Sequence, residues 1–302
     1  MPYHQHIHSP CKGLTLMALA SSFRKILCAA LAVASAVVFS ANARAALLDS
    51  EIAKNLAPHK ALYDIRMVTR HNGASILNIH GQMGYEWRPD CDAWVTSHHF
   101  NLAYEYADAP VLNVVSDFST YEPFDGKSLS FTSRRARGGD LYEELRGNAS
   151  LGPDGTGKAR YSMPPELGFD LSRGTLFPMK HTIALLKSIK SGKKFFNAVV
   201  FDGSDDEGPV EISAIAGKMV NGMTGLVPSP KLDASLLSGP AWFVRMAFFP
   251  AKTPAEEADY EMNAVIHENG VISDMRIDYK DFSVTQKLVA LERLKNAACG
   301  LK

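Results

Sequence analysis

The sequence predicts a mainly β protein: one large, curved antiparallel sheet of about a dozen strands, rolled into an open barrel, with two helices packed against or inside it. Three observations carry this expectation. Runs in which apolar and polar residues alternate with period two recur from Ala61 to Tyr279. Asn-Gly, Asp-Gly and Pro-Asp turns separate the runs. So many long strands exceed what a flat open sheet carries, and curling removes exposed edges. Two stacked sheets in a sandwich are the competing arrangement.

The chain begins with an address. Arg24-Lys25 is followed by an unbroken apolar or small run, Ile26–Phe39, and then by Ser40-Ala41-Asn42-Ala43-Arg44-Ala45. A positive segment, an apolar core and an Ala-x-Ala site make a secretory signal peptide, with cleavage after Ala43 and Ala45 as second choice. The run spans about 21 Å as a helix, short of the roughly 30 Å hydrocarbon core, which disfavours a permanent anchor. Met17 is an alternative start, and His4, His6, His8, Cys11 and Cys28 leave with the leader. The expected division is a cleaved signal over residues 1–43 and one domain over 44–302, soluble, exported and not membrane-spanning.

In the mature chain, Ala61-Tyr63-Ile65-Met67 opens the alternation, followed by Ile79-Gly81-Met83-Tyr85-Trp87. Trp94, Thr96, His98, Phe100, Leu102 and Tyr104 share one face of the next strand, and later runs lie at Trp242–Phe248, Met262–Ile266 and Val271–Tyr279. Glu268-Asn269-Gly270 between the last two is the strongest hairpin signal. Pro178–Ser188 has helical spacing, with Pro in the first turn and Gly192 beyond the end. Gln286–Ala298 reads as the second helix, with Leu288, Leu291 and Leu294 on one stripe. Residues 222–240 read as a long loop.

Composition and charge exclude several classes. The chain is 46% hydrophobic and 21% charged, as globular proteins are. Lys+Arg and Asp+Glu both number 32, so there is no basic footprint for nucleic acid. Catalytic and nucleotide-binding signatures such as G-x-S-x-G, H-E-x-x-H and G-x-x-x-x-G-K-[ST] are missing. His98 and His99 are strand neighbours that face opposite sides, so they cannot share a metal. His59 and His181 read as buried histidines bonded to loop carbonyls. Asp202–Glu207 has carboxylates at calcium-like density but not the calcium-loop frame, and reads as an acidic turn. Arg134-Arg135-Ala136-Arg137 is the basic cluster, read as a solvated loop with anionic lipid as the alternative. The site expectation contains no catalytic residue, metal or cofactor.

Two cysteines remain after the leader, Cys91 and Cys299. In an oxidising compartment an even pair reads as a disulfide. Closing so long a loop contributes up to about 5 kcal/mol by chain entropy.

The order and spacing of several segments resemble the cell-envelope integrity protein B (EipB) family of alphaproteobacteria. They are Ala57-Pro58-His59-Lys60-Ala61-Leu62-Tyr63-Asp64, Cys91-Asp92-Ala93-Trp94, Thr175-Leu176-Phe177-Pro178, Phe201-Asp202-Gly203-Ser204, Arg245-Met246-Ala247-Phe248-Phe249-Pro250 and Asp278-Tyr279-Lys280-Asp281-Phe282-Ser283. The resemblance implies a periplasmic β-spiral with a disulfide between Cys91 and Cys299, and a role in envelope integrity under stress without catalytic residues. The functional expectation is a non-enzymatic protein that presents a cavity to a hydrophobic ligand, lipid or lipoprotein acyl chain, or docks a periplasmic helical-repeat protein. Trp94, Tyr104, Trp242 and Phe248 are the candidate ligand-lining residues, unless they simply fill the core. The alternative is a hydrolase of an envelope polymer or lipid that uses Asp202 or Glu86.

Overall fold

The structure is a computed structural model that describes residues 49–71, 73–251 and 257–295. The chain divides into two compact units, Met1–Ser50 and Glu51–Lys302, and the fold described is that of the second. The expected cleavage sites at Ala43 and Ala45 lie outside the described residues, as does Cys299.

Residues 49–55 are helical (α1). Eight strands follow: β1 (His59–Arg70), β2 (Ile76–Asp90), β3 (Ala93–Tyr106), β4 (Leu112–Pro123), β5 (Ser128–Arg137), β6 (Asp140–Leu151), β7 (Gly157–Met163) and β8 (Gly168–Leu171). Helix α2 (Pro178–Lys190) interrupts the strands, and β9 (Phe195–Val200), β10 (Val210–Val220), β11 (Ala241–Pro250), β12 (Tyr260–His267), β13 (Ile272–Tyr279) and β14 (Phe282–Arg293) complete the sheet. All fourteen belong to one sheet, ordered β8 through β1, then β14 back through β9. Two meanders therefore meet at one seam, where β1 pairs antiparallel with both β2 and β14. The far edges approach each other through Leu176, whose N–H donates to the Val199 carbonyl while its own carbonyl accepts from Phe201 N–H. That contact is one isolated bridge, so the sheet is rolled but open. Such an open, rolled antiparallel sheet is the expected architecture; a stacked sandwich is not formed.

Period two decides which side chains enter the interior. Ala61, Tyr63 and Ile65 of β1 are buried, as are Val244 and Met246 of β11. At the far end of the first meander, Phe131, Tyr161 and Phe169 close with Phe177 and Phe201 into an aromatic core. Gly203 is required there: its φ is +74°, and a Cβ would lie 2.3 Å from the Phe131 ring.

The expected helix over Gln286–Ala298 is instead strand β14 as far as Arg293, with residues 296–298 outside the described segments. A β-bulge explains the misreading. Ala61 pairs with Leu291 and Leu62 with Ala290, but Tyr63 pairs with Leu288, which leaves Val289 as an extra residue. Leu288 and Leu291 then both face inward three residues apart, a spacing that imitates a helical stripe. Residues 222–240 are largely irregular, as expected, with a 3-10 turn at Ala234–Leu236. They are not simply solvated: Leu232, Leu236 and Leu237 are buried.

Helix α2 begins as the sequence predicts, with Pro in its first turn, but Phe177 at its N-cap supplies no side-chain acceptor. Glu122, at the end of β4, does so from 57 residues upstream. Its Oε2 accepts from Met179 N–H at 2.8 Å and its Oε1 from Lys180 N–H at 2.9 Å. Trp87 Nε1–H donates to Met179 Sδ at 3.0 Å on the same turn. Glu122 is 1% exposed, and burial pushes its carboxyl up to about 7, against the pull of the two amides. Replacing Glu122 by Ala leaves two helix N–H groups buried without acceptors. Glu122→Ala is expected to lose about 2–4 kcal/mol in urea unfolding at neutral pH. Glu122→Gln, which keeps one acceptor, should fall between the two; full stability of Glu122→Ala would show that packing alone seats α2.

Candidate functional site

The concavity of the sheet and the cylinder of α2 do not match in shape, and two adjoining voids of about 250 and 340 Å³ remain beside the helix. Tyr85, Pro178, Met179, Thr182, Asp202, Met262, Gly270 and Ile272 border both. The smaller void continues along α2 past Leu185 and Leu186 to Met246, Phe248 and Ile266. The larger runs under the first meander to Met83, His98, Phe118, Met275 and Gln286. Both meanders thus contribute walls, and methionine recurs on them. Its flexible, polarisable side chain suits a surface that adapts to an apolar guest.

A few polar groups interrupt the apolar lining. His98 points inward between aromatic rings, 4.9 Å from Tyr85 and 5.6 Å from Phe118 between centroids, and burial holds its imidazole down to about 4. Tyr85 is pushed up by burial alone. Asp202 is pushed up by burial while Ser204, whose N–H donates to Oδ1 at 2.9 Å, pulls the other way. Thr182 Oγ1 donates back to the Pro178 carbonyl. This arrangement can enclose an apolar chain and offer a polar anchor at one point. Neutral imidazole and a protected carboxyl suit hydrogen bonding there.

Of the residues singled out from sequence, Phe248 borders the smaller void and stacks on Tyr260 at 4.3 Å. Trp94 is buried elsewhere, stacked on Trp87 at 5.3 Å and against Phe124 at 4.6 Å. Tyr104 lies half-buried toward the end of β3, and Trp242 half-buried in β11 opposite Met219 and Ile266. The structure therefore does not bring these four together. Asp202 and Glu86 are also apart: Asp202 borders the voids, whereas Glu86 is on the outer face, 3.4 Å from Lys60 Nζ. His99 faces outward with its Nδ1 2.7 Å from Asp117 Oδ1, on the opposite side from His98 as strand geometry requires. His59 is buried with Nδ1 2.7 Å from the Ala57 carbonyl. His181 is buried on α2 with its ring against Phe196.

The acidic segment Asp202–Glu207 folds as a turn whose carboxylates accept from backbone: Asp202 from Ser204 and Asp205 from Glu207. The arginine cluster is engaged within the protein. Arg135 donates to Glu143 and to the Ser204 carbonyl, Arg134 faces Glu144, and Arg137 lies over the Tyr142 ring. The sequence reading missed Met179, Met246 and Met262, since an inward methionine carries no mark distinguishing a wall from a filled core.

Burial of His98 has a consequence for acid stability. An unfolded imidazole takes a proton near 6.5, but the native one does so only near 4. Between those values the unfolded state holds more protons, so stability falls as the pH falls. His98→Phe is expected to remove about 3 kcal/mol of the loss between pH 7 and pH 4. Denaturant unfolding at both pH values checks this, and an unchanged slope would place the acid sensitivity on other groups.

Comparison with known proteins agrees with this architecture. Residues 50–295 match the EipB-like family model. The chain is 30% identical over 267 residues to the cell envelope integrity protein EipB of Brucella abortus (strain 2308), covering 87% of this chain and 93% of that protein. It also superposes, with a TM-score of 0.73 and 29% identity, on the crystal structure of a β-barrel-like protein of a domain of unknown function from Brucella abortus. That match covers 80% of this chain and 99% of the other. With its fourteen-stranded rolled sheet and a family match over nearly the whole described region, the chain belongs to the EipB-like family.

Proposed function

We propose that the protein is a non-enzymatic component of the periplasm that contributes to cell-envelope integrity by holding an apolar chain, a lipid or a lipoprotein acyl group, between α2 and the inner face of the sheet. The envelope role is supported by the relative named for it. The periplasmic location is supported by the signal-like segment over residues 1–43. The observation that carries the ligand is the pair of adjoining voids, whose combined size falls within the roughly 300–1,000 Å³ of small-molecule sites. Their walls are mostly apolar, aliphatic, methionine and aromatic together, with Asp202 and His98 as the polar points that orient a head group. Asp202 borders the voids and Glu86 is on the outer face of the sheet, so the two do not form a carboxylate pair.

Native mass spectrometry of the protein purified gently from the envelope is expected to show a lipid-sized adduct. Met262 borders both voids, so Met262→Trp should displace the adduct with little change in melting temperature. A wild-type protein free of adduct, co-purifying instead with a helical-repeat protein, would replace ligand binding with partner docking.

The same reading includes a disulfide between Cys91 and Cys299, supported by the course of the sheet. β2 and β14 both run antiparallel to β1, so both leave the sheet at the same end, where His59 pairs with Trp87 on one side and Arg293 on the other. Trp87 and Arg293 are thus two strand spacings apart, about 10 Å. Cys91 is exposed in the turn directly after β2. Six residues beyond Arg293 reach up to about 20 Å, enough to bring Cys299 to it. Cys299→Ser is expected to lower the melting temperature on the order of 10 °C and to abolish the effect of reductant. A wild type indifferent to reductant would remove the clasp.

A further inference from the structure

We propose that the sheet end where β9 begins and β10 finishes is a docking surface for an anionic phospholipid bilayer. This inference stands on the outer surface and is independent of any ligand held inside. Phe195 is 70% exposed and Met219 64%, and Ile215 and Phe243 also project to solvent. Phe195 and Ile215 are direct cross-strand partners, and a Cβ on Gly217 would touch Phe243. Phe195, Ile215 and Phe243 therefore form one outer-face patch over three neighbouring strands, beside the free edge of the sheet, while Met219, paired with Trp242 beyond a bulge, is exposed at its rim.

Lysines frame the patch. Lys193 and Lys194 immediately precede Phe195, and Lys218 immediately precedes Met219. The two stretches are held together where Ala216 N–H donates to the Lys194 carbonyl. Residues 187–201 and 212–232 contain no Asp or Glu, although acids and bases are balanced over the whole chain. Acids on the adjoining elements are already engaged: Glu268 with Lys190, and Glu261 with Arg245. Exposed apolar tips next to uncompensated lysines match a bilayer surface, where the tips enter the interface and the ammonium groups meet lipid phosphates. The patch borders none of the cavities described above and lies at a sheet edge, so it suits a soft planar surface better than a partner's knob. The arginine cluster at Arg134–Arg137 lacks this character, because its side chains already engage Glu143, Glu144 and the Tyr142 ring.

The test is co-sedimentation of the exported, processed protein with vesicles of phosphatidylcholine alone, or with about 30% phosphatidylglycerol, at low salt and at about 0.5 M NaCl. Binding is expected on the anionic vesicles, weak on the neutral ones, and largely released by salt. Each lysine near the surface is worth about fivefold, so the combined variant Lys193→Glu/Lys194→Glu/Lys218→Glu should bind at least about a hundredfold more weakly. Phe195→Ser/Ile215→Ser should lose about tenfold and leave a residue of binding that salt removes entirely. Thermal melting verifies the fold of each variant, and the salt response of the wild type tests the proposal should a variant fail to fold. Wild-type protein that ignores anionic vesicles, or variants that bind as it does, would overturn the proposal. So would lysine variants that only self-associate, which would assign these lysines to protecting the sheet edge.

Discussion

The contact between the Glu122 carboxylate and the first turn of α2 governs the interior. A fourteen-stranded rolled sheet encloses more volume than its own inward side chains fill, so something must occupy the middle. Helix α2 does so, but its N-terminus arrives there without a capping residue of its own. Four N–H groups at a helix start need acceptors, and in a dry interior a missing acceptor is costly. Glu122 is placed by β4 to receive two of them, and Trp87 from β2 meets the same turn through Met179. The first meander thereby sets where the helix enters, and the second closes over its other side.

That placement has a geometric consequence. A helix inside a wider curved sheet cannot touch every inward side chain, and the gaps fall along its flank rather than at random. The two voids lie there, walled by both meanders and bridged by Tyr85, Asp202 and Met262. The buried ionisable groups share this origin. His98 and Glu122 are both displaced from their ordinary protonation ranges by burial, but in opposite senses, since loss of water favours the neutral form of each. The outer surface follows a different logic, with charge pairs across many strands and, among the described residues, an unpaired lysine rim where β9 and β10 meet the sheet edge.

Legibility varied along the chain for identifiable reasons. β1, β2, β3, β11, β12 and β13 were readable because large inward apolar residues alternate there with polar ones. β5 was not, because its inward positions include Ser133 and its outward ones are Ser, Thr and Arg, so the contrast is weak. β14 was misread because a bulge changed its period from two to three across Val289. Phe248 could be named as a lining candidate, but Trp94 resembled it in every local respect and instead became part of an aromatic stack. Which inward aromatic borders a void depends on where α2 lies, and alternation carries no record of that.

The sequence by itself determined the class of the fold, a helix beginning at Pro178, the opposite facing of His98 and His99, and the turn character of Asp202–Glu207. Each is a local property, set by side-chain period, turn chemistry or proline geometry within a few residues. Only the tertiary structure decided that Glu122 caps α2, that methionines from four separate strands line its flank, that the arginine cluster is engaged by Glu143, Glu144 and Tyr142 and that the lysines near Phe195 have no ion pair among the described residues. These depend on residues distant in sequence being brought to one place, and in a sheet that place is set by register and curvature. A one-residue bulge or the tilt of a single helix redistributes such contacts without altering any local pattern.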